Sequence, residues 1–382
     1  MARGSVYKRN NSYGYRADLG PDPATGRRRQ MSKQGFRTKK EAEAALGDLL
    51  SSVRAGSAVS RSSVTVGEYL ADWLIGQRQQ LKATTWASYG TIVERIDAKI
   101  GSLPLQGLRP KHVEDLYRDL GETGGHRGRP LSPKTVRNTH TVLRKALADA
   151  ERLELLPRNP AAVARPPADD ETERVTWSSD ELRDFFSHVA DDRLYALWIL
   201  FATTGMRRGE ALGLRWRDVD LDSGDLRITQ TIVTISYAPQ FDTPKTKRSR
   251  RSLYLDPTTV DVLRRHRVRQ KEERLALGEA WMNDRDLVFT DELGRPLHPD
   301  KVTRAFRAHV READLRSIRL HDLRHTYATL ALKAGVHPKV VSDRLGHATT
   351  GITLDLYSHV TPGIGREAAD LVADRIFGTE AG

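Results

Sequence analysis

Six residues of four chemical types follow one another through the second half of the chain: Arg207, Lys245, His321, Arg324, His347 and Tyr357. Arginines and histidines together suit an anion, because each guanidinium is a fixed fork of N–H donors and each imidazole adds another. The first arginine lies in Thr203–Glu210 (TTGMRRGE), where Gly205 interrupts an apolar helix and a new helix begins. That break predicts a rigid corner holding Arg207, with Glu210 one turn later and able to fix its guanidinium. Within Leu320–Leu330 (LHDLRHTYATL), Leu320, Leu323, Tyr327 and Leu330 form one helical stripe. His321, Arg324 and His325 fall on a neighbouring face. A zinc site is the rival reading, since His321 and His325 have the i, i+4 spacing of zinc-protease helices. Such a motif needs Glu after the first His, where this chain has Asp322, and Arg324 would repel the ion. Anion binding is therefore preferred. Ser342–His347 places another His after a helix end marked by Gly346, and Tyr357 follows ten residues later.

These residues need a scaffold, and the sequence divides into three units. Residues 1–57 read as three strands (residues 5–9, 13–19 and 27–36) and a helix opened by a Thr38/Glu41 capping box. A Ser-, Ala- and Gly-rich linker covers 58–64. Residues 65–160 read as four helices, the first opened by Thr65 and Glu68 and the last by Ser132 before Pro133. A Pro-rich break, 161–171, cannot continue a helix. Residues 172–382 read as mostly helical, with a strand over 225–236, a partner strand over 252–255 across a Lys- and Arg-rich loop, and a helix over 257–277. An apolar stripe in 368–377 predicts a C-terminal helix. The expected class is multidomain and mainly α with small antiparallel sheets.

Composition narrows the partners. The 382 residues hold 62 Lys and Arg against 50 Asp and Glu, a net charge of +12. Residues 1–40 carry eleven of the cations and only Asp18 and Asp22, three-quarters of the excess in a tenth of the length. Dense positive charge on a small sheet fits nucleic-acid phosphates. Arg16, Arg27, Arg28, Arg29, Lys33 and Arg37 are the candidate contacts there, joined by Arg137, Arg144 and Lys145 in the helical unit. The chain has no cysteine, which excludes disulfides and thiolate metal sites. Its longest apolar run, eight residues, is far short of the ~20 that span a bilayer, and its first residues carry no signal-peptide core. These features predict a soluble, cytoplasmic protein with no membrane partner.

On these motifs the region from about 172 to 365 resembles the tyrosine recombinases of the phage-integrase type. Arg207 matches that family's first arginine, Lys245 its hairpin lysine, with Lys247 a competitor for the role, and His321 and Arg324 its His-x-x-Arg box. His347 matches the Leu-Gly-His box and Tyr357 the nucleophile. Gly209 stands where many members have Ser. The helical unit resembles the family's core-binding domain, and residues 1–55 its arm-binding domain.

The resemblance implies site-specific recombination through a covalent 3′-phosphotyrosine, integrating and excising a mobile element. It implies a homotetramer on double-stranded DNA at core-type and arm-type attachment sites, with a host bending factor and an excisionase as further partners. Arg207, Arg324 and His347 would grip the phosphate, His321 would take the Tyr357 proton, and Lys245 would protonate the leaving oxygen. No cofactor, metal or ATP is called for, because the ester conserves the bond energy and the chain lacks a P-loop. A type IB topoisomerase shares this chemistry, and a DNA-binding regulator shares the charge. A second DNA-binding module on a linker favours recombination over the first. The ordered residues favour an enzyme over the second.

Overall fold

The computed structural model describes residues 3–21, 26, 28–54, 62–168, 175–235, 237–243, 250–347, 351, 373, 375–376 and 378. The chain forms two units, residues 1–171 and 172–382. Its described part is mainly helical with small antiparallel sheets, and none of its helices is long and apolar enough to cross a membrane.

In the first unit, β1 (Arg3–Arg9), β2 (Ser12–Pro21) and β3 (Arg28–Phe36) form an antiparallel sheet in that order. Strand alternation puts Tyr15 and Ala17 on one face, where Leu46 of α1 (Lys39–Arg54) packs with Val6 and Phe36. Thr38 and Glu41 exchange the hydrogen bonds of a capping box that starts α1. Arg16 is opposite Ser5 and Ser32 on the other, open face. Lys33 pairs with Tyr15, so its side chain leaves from the helix-covered face. Arg16 and Lys33, both candidate DNA contacts, therefore leave the sheet from opposite faces.

Four helices follow: α2 (Val66–Gly76), α3 (Ala83–Ile100), α4 (Pro110–Thr123) and α5 (Pro133–Arg152). Their apolar faces meet around Leu70, Ile96, Leu116, Leu120, Leu143 and Leu147. Polar groups at the edge of this core are satisfied: Tyr69 Oη donates to Ala146 O at 2.6 Å and Trp73 Nε1 to Asp149 Oδ2 at 2.8 Å.

The second unit opens with α6 (Ser179–His188), capped by Ser178, and α7 (Tyr195–Thr204), which is buried on nearly every side. Trp177, Phe185, Trp198 and Phe306 form its aromatic centre. After α8 (Arg208–Leu212) come five short strands: β4 (Val219–Asp220), β5 (Asp225–Arg227), β6 (Thr231–Ile235), β7 (Ala238–Asp242) and β8 (Ser252–Tyr254). Then follow α9 (Pro257–Leu277), α10 (Pro299–Glu312), α11 (Asp322–Lys333) and α12 (Pro338–Leu345).

The single strand expected over 225–236 is two strands in different sheets. β5 lies between β4 and β8, whereas β6 pairs with β7. Side chains pin the break between them: Thr229 Oγ1 donates to Asp218 at 3.0 Å and Gln230 Nε2 to Gly213 O at 2.8 Å. The partner strand expected near 252 is β8, and it pairs with β5 alone. The expected C-terminal helix lies almost wholly outside the described residues.

Candidate active site

The corner at Arg207 is built from the backbone outward. Gly205 ends α7 with φ 62°, and a Cβ there would fall 2.5 Å from Leu345 Cδ2 and 2.9 Å from the Tyr327 ring. Only glycine accepts both that conformation and that approach. Arg207 then caps α8. Its N–H donates to Glu210 Oε2 at 3.0 Å, its Nη1 to Glu210 Oε1 at 2.7 Å, and its Nη2 to Gly346 O at 2.9 Å.

Arg324 comes from the first turn of α11 and points inward; it is 4% exposed. Its Nη1 donates to Gly205 O at 2.7 Å and its Nη2 to Leu345 O at 2.5 Å. Both arginines are therefore fastened to carbonyls where α7 and α12 end, and those helix ends carry partial negative charge. Burial first, then the charges of Arg207 and Arg251, lowers the Arg324 pKa to about 9, so the guanidinium remains charged at neutral pH.

Glu210 is buried and shared. Arg251, just before β8, donates to both its carboxylate oxygens, at 3.2 and 3.1 Å, and also to Arg344 O. Burial raises the pKa of this carboxyl, but the attraction of Arg251 and then Arg207 outweighs it and the net shift is downward. Sequence reasoning missed Arg251. It closes the Lys- and Arg-rich loop in which only the lysines are matched to a role, and its acidic partner is 41 residues away.

Gly209 also has a steric reason. A Cβ at this position would sit 2.3 Å from Ile232 O and 2.5 Å from Thr231 Oγ1. Strand β6 lies directly against α8, leaving no space for a side chain at this position.

Three histidines border the cradle. His347 follows the Gly346 cap, and its N–H donates to Ser342 O at 3.1 Å. Desolvation, followed by the charges of Arg324 and Arg207, lowers its pKa to about 4. His321 stands at the start of α11 and its ring meets that of His325 edge-on at 5.4 Å. Although much of His321 faces solvent, the enclosed part of its ring loses hydration, and Arg324 adds repulsion; its pKa is also lowered. Both rings are thus neutral near pH 7, each with one N–H and one free-electron-pair nitrogen. Asp322 is turned back onto Arg319 through two side-chain bonds, at 3.0 and 2.9 Å, and so takes no part in a His321–His325 metal site.

Arg207, Glu210, His321, Arg324 and His347 are accordingly set around the junction of α7, α11 and α12. Lys245, Lys247 and Tyr357 lie outside the described residues. Among the proposed DNA contacts, Arg16 and Arg144 are exposed, as is Arg37. Arg28 is exposed but paired with Asp18. Lys145 bonds Gln77 at 3.1 Å and lies over the Trp73 and Tyr89 rings, and Arg137 Nη1 holds Pro167 O at 3.2 Å. These last two have structural work that the sequence does not reveal. Lys33 stands over Phe36 at 5.4 Å. Arg27 and the side chain of Arg29 are outside the described residues.

Comparison with known proteins gives a concordant result along the chain. The Phage integrase family profile matches residues 177–363, the Arm DNA-binding domain profile residues 5–53, and the Phage integrase, N-terminal SAM-like domain profile residues 65–121. A tyrosine recombinase XerC-like protein of Caldanaerobacter subterraneus is 31% identical, over 95% of this chain and 96% of that protein. The ICEBs1 integrase of Bacillus subtilis is 27% identical, over 96% of this chain and 98% of its own. Among solved structures, the Tn1549 transposon integrase in complex with a circular intermediate DNA has a TM-score of 0.69 at 20% identity, covering 81% of this chain and 100% of that one. A lambda integrase tetramer bound to a Holliday junction has a TM-score of 0.56 at 20% identity, covering 92% and 94%. These two likenesses establish the fold. With the profiles and the full-length relatives, they place the chain in the phage integrase family of tyrosine recombinases, enzymes of site-specific recombination that cleave and rejoin DNA.

Proposed function

We propose that Arg207, Arg324 and His347 hold the scissile phosphate while Tyr357 attacks it. The observation that carries this reading is the fastening of both guanidiniums at one junction, Gly205, Leu345 and Gly346. Displacement at phosphorus gathers negative charge on the non-bridging oxygens, and fixed donors stabilise that charge without reorganising. Tyr357 Oη forms the new P–O bond and the bond to the 5′-oxygen breaks, leaving a 3′-phosphotyrosine. The phenol proton goes to neutral His321, and Lys245 protonates the departing oxygen; Lys247 is the other lysine suited to that step. His347, also neutral, donates its ring N–H to the phosphate. Glu210 orients Arg207.

By the same reading, residues 1–57 bind arm-type DNA, residues 65–160 bind the core site, and 58–64 and 161–171 are linkers. Four copies assemble on DNA, with the 368–377 helix docking on a neighbour. The enzyme acts on bacterial chromosomal DNA in the cytoplasm, with a bending factor and an excisionase setting direction. Tyr357→Phe tests the core of the proposal. On a nicked substrate that traps the covalent complex, the variant binds DNA as the parent does and forms no adduct. A surviving adduct would assign the nucleophile elsewhere.

A further inference from the structure

We propose that His188, His309 and Glu312 form a zinc-binding site in the catalytic domain, on residues that take no part in the Arg207–Arg324 cradle. His188 ends α6, while His309 and Glu312 stand three residues apart in the last turn of α10. One ligand atom from each lies within 4.8 Å of the other two. His188 Nε2 and His309 Nδ1 are each 4.0 Å from Glu312 Oε2. Ligands on a tetrahedral zinc stand about 3.3 Å apart. Closing the two gaps to Glu312 needs under an ångström of movement, which its half-exposed side chain can supply, and rotation of the exposed His188 ring sets the spacing between the two imidazoles.

Two further features point to a cation. His309 Nδ1 is buried and has no hydrogen-bond partner. The other ring nitrogen, Nε2, is 3.0 Å from Asp192 Oδ2. That carboxylate is itself held by Trp198 Nε1 at 2.7 Å and by the Leu194 N–H at 3.0 Å. With its proton on Nε2, facing Asp192, the ring leaves the Nδ1 electron pair on the side of Glu312 and His188. This is the carboxylate–histidine–metal arrangement that orients a ligand and raises its basicity. His188 and Glu312 also end their helices, where the backbone dipole favours positive charge. Arg311 is the competing cation, but it approaches Oε1 of Glu312 only to 3.6 Å, from an exposed side chain.

Two imidazoles and one carboxylate suit Zn²⁺ better than a hard oxygen-seeking cation, with water as fourth ligand. Bound there, zinc clips the end of α6 to the end of α10. Both helices pack on the central aromatic cluster, where Phe185 and Phe306 lie 5.4 Å apart. The site therefore serves stability and is separable from strand cleavage.

The test uses the full-length chain without a histidine tag, titrated calorimetrically with ZnCl₂ and, for coordination geometry, with Co²⁺ followed by visible absorbance. One Zn²⁺ per chain is expected, with tetrahedral Co²⁺ bands. At ~100-fold excess over Kd the catalytic domain melts about 5–10 °C higher. His188→Gln and Glu312→Gln each weaken binding at least ~10-fold and abolish the melting shift. His325→Gln leaves both in place, and His188→Gln cleaves DNA like the parent. Unchanged Kd in both ligand variants, loss of binding in His325→Gln, or no saturable binding up to ~1 mM overturns the assignment.

Discussion

The cradle at Arg207 and Arg324 and the open face of the N-terminal sheet are both proposed to present arginine to DNA, yet they are built on opposite plans. In the cradle each guanidinium is fastened to helix-end carbonyls, and Arg207 also to a carboxylate buried beneath Arg251. On the sheet, Arg16 stands exposed between Ser5 and Ser32, on the face that strand alternation also gives to Arg3, Tyr7 and Arg9. Bond-breaking rewards groups already in place, because reorganisation adds to the barrier. Backbone binding rewards charge density and tolerates movement, since much of its driving force is counterion release. Mobility suits the one task and is costly in the other.

Four changes probe that contrast. Glu210→Ala strikes the cradle hardest: it strands buried Arg251 without its carboxylate and should cost about 3–5 kcal/mol of stability, measured by denaturant unfolding. Arg207→Ala keeps the buried pair and should slow cleavage about 10²–10³-fold while DNA affinity changes only a few-fold. A fall in binding as large as the fall in rate would erase the distinction between gripping and binding.

Acid is a milder probe. His266 is buried, its Nε2 2.7 Å from Val288 O, and burial lowers its pKa to about 4. The unfolded chain takes up that proton below about 6.5 and the folded one resists it, so stability falls as pH drops from about 6.5 to 4. The His266 share of that slope is at most about 1.4 kcal/mol per pH unit, and His266→Gln should remove it from the melting profile. His347 adds to the same window. Smallest of all, Arg16→Ala should reduce the salt dependence of arm-site binding by about one unit of slope and leave core-site cleavage untouched.

What could be read from the sequence was local. The capping pairs Thr38/Glu41 and Thr65/Glu68 each place a helix start from four residues, because both partners lie within one turn. The Arg207/Glu210 contact is local in the same sense. What escaped was set by distant partners. Arg251 reads as one more cation in a basic loop until β8 brings it under Glu210. The residues 225–236 alternate like one strand, and only Asp218 and Gly213 divide it. Lys145 and Arg137 read as DNA contacts because their ring and carbonyl partners come from other segments. His188 and His309 are likewise unremarkable until α6 and α10 converge.

The fastening of the two arginines bears on timing. Each guanidinium gives two of its five N–H groups to the protein's own oxygens. Those bonds need no DNA to form, so on the proposed function the receptor for the phosphate is set in advance. A recombinase that must not cut until its partner site is present cannot keep that safeguard in its arginines. On that reading the safeguard falls on the steps proposed for Tyr357 and Lys245, which makes premature cleavage a problem of kinetic gating, and one on which phosphate affinity has no purchase.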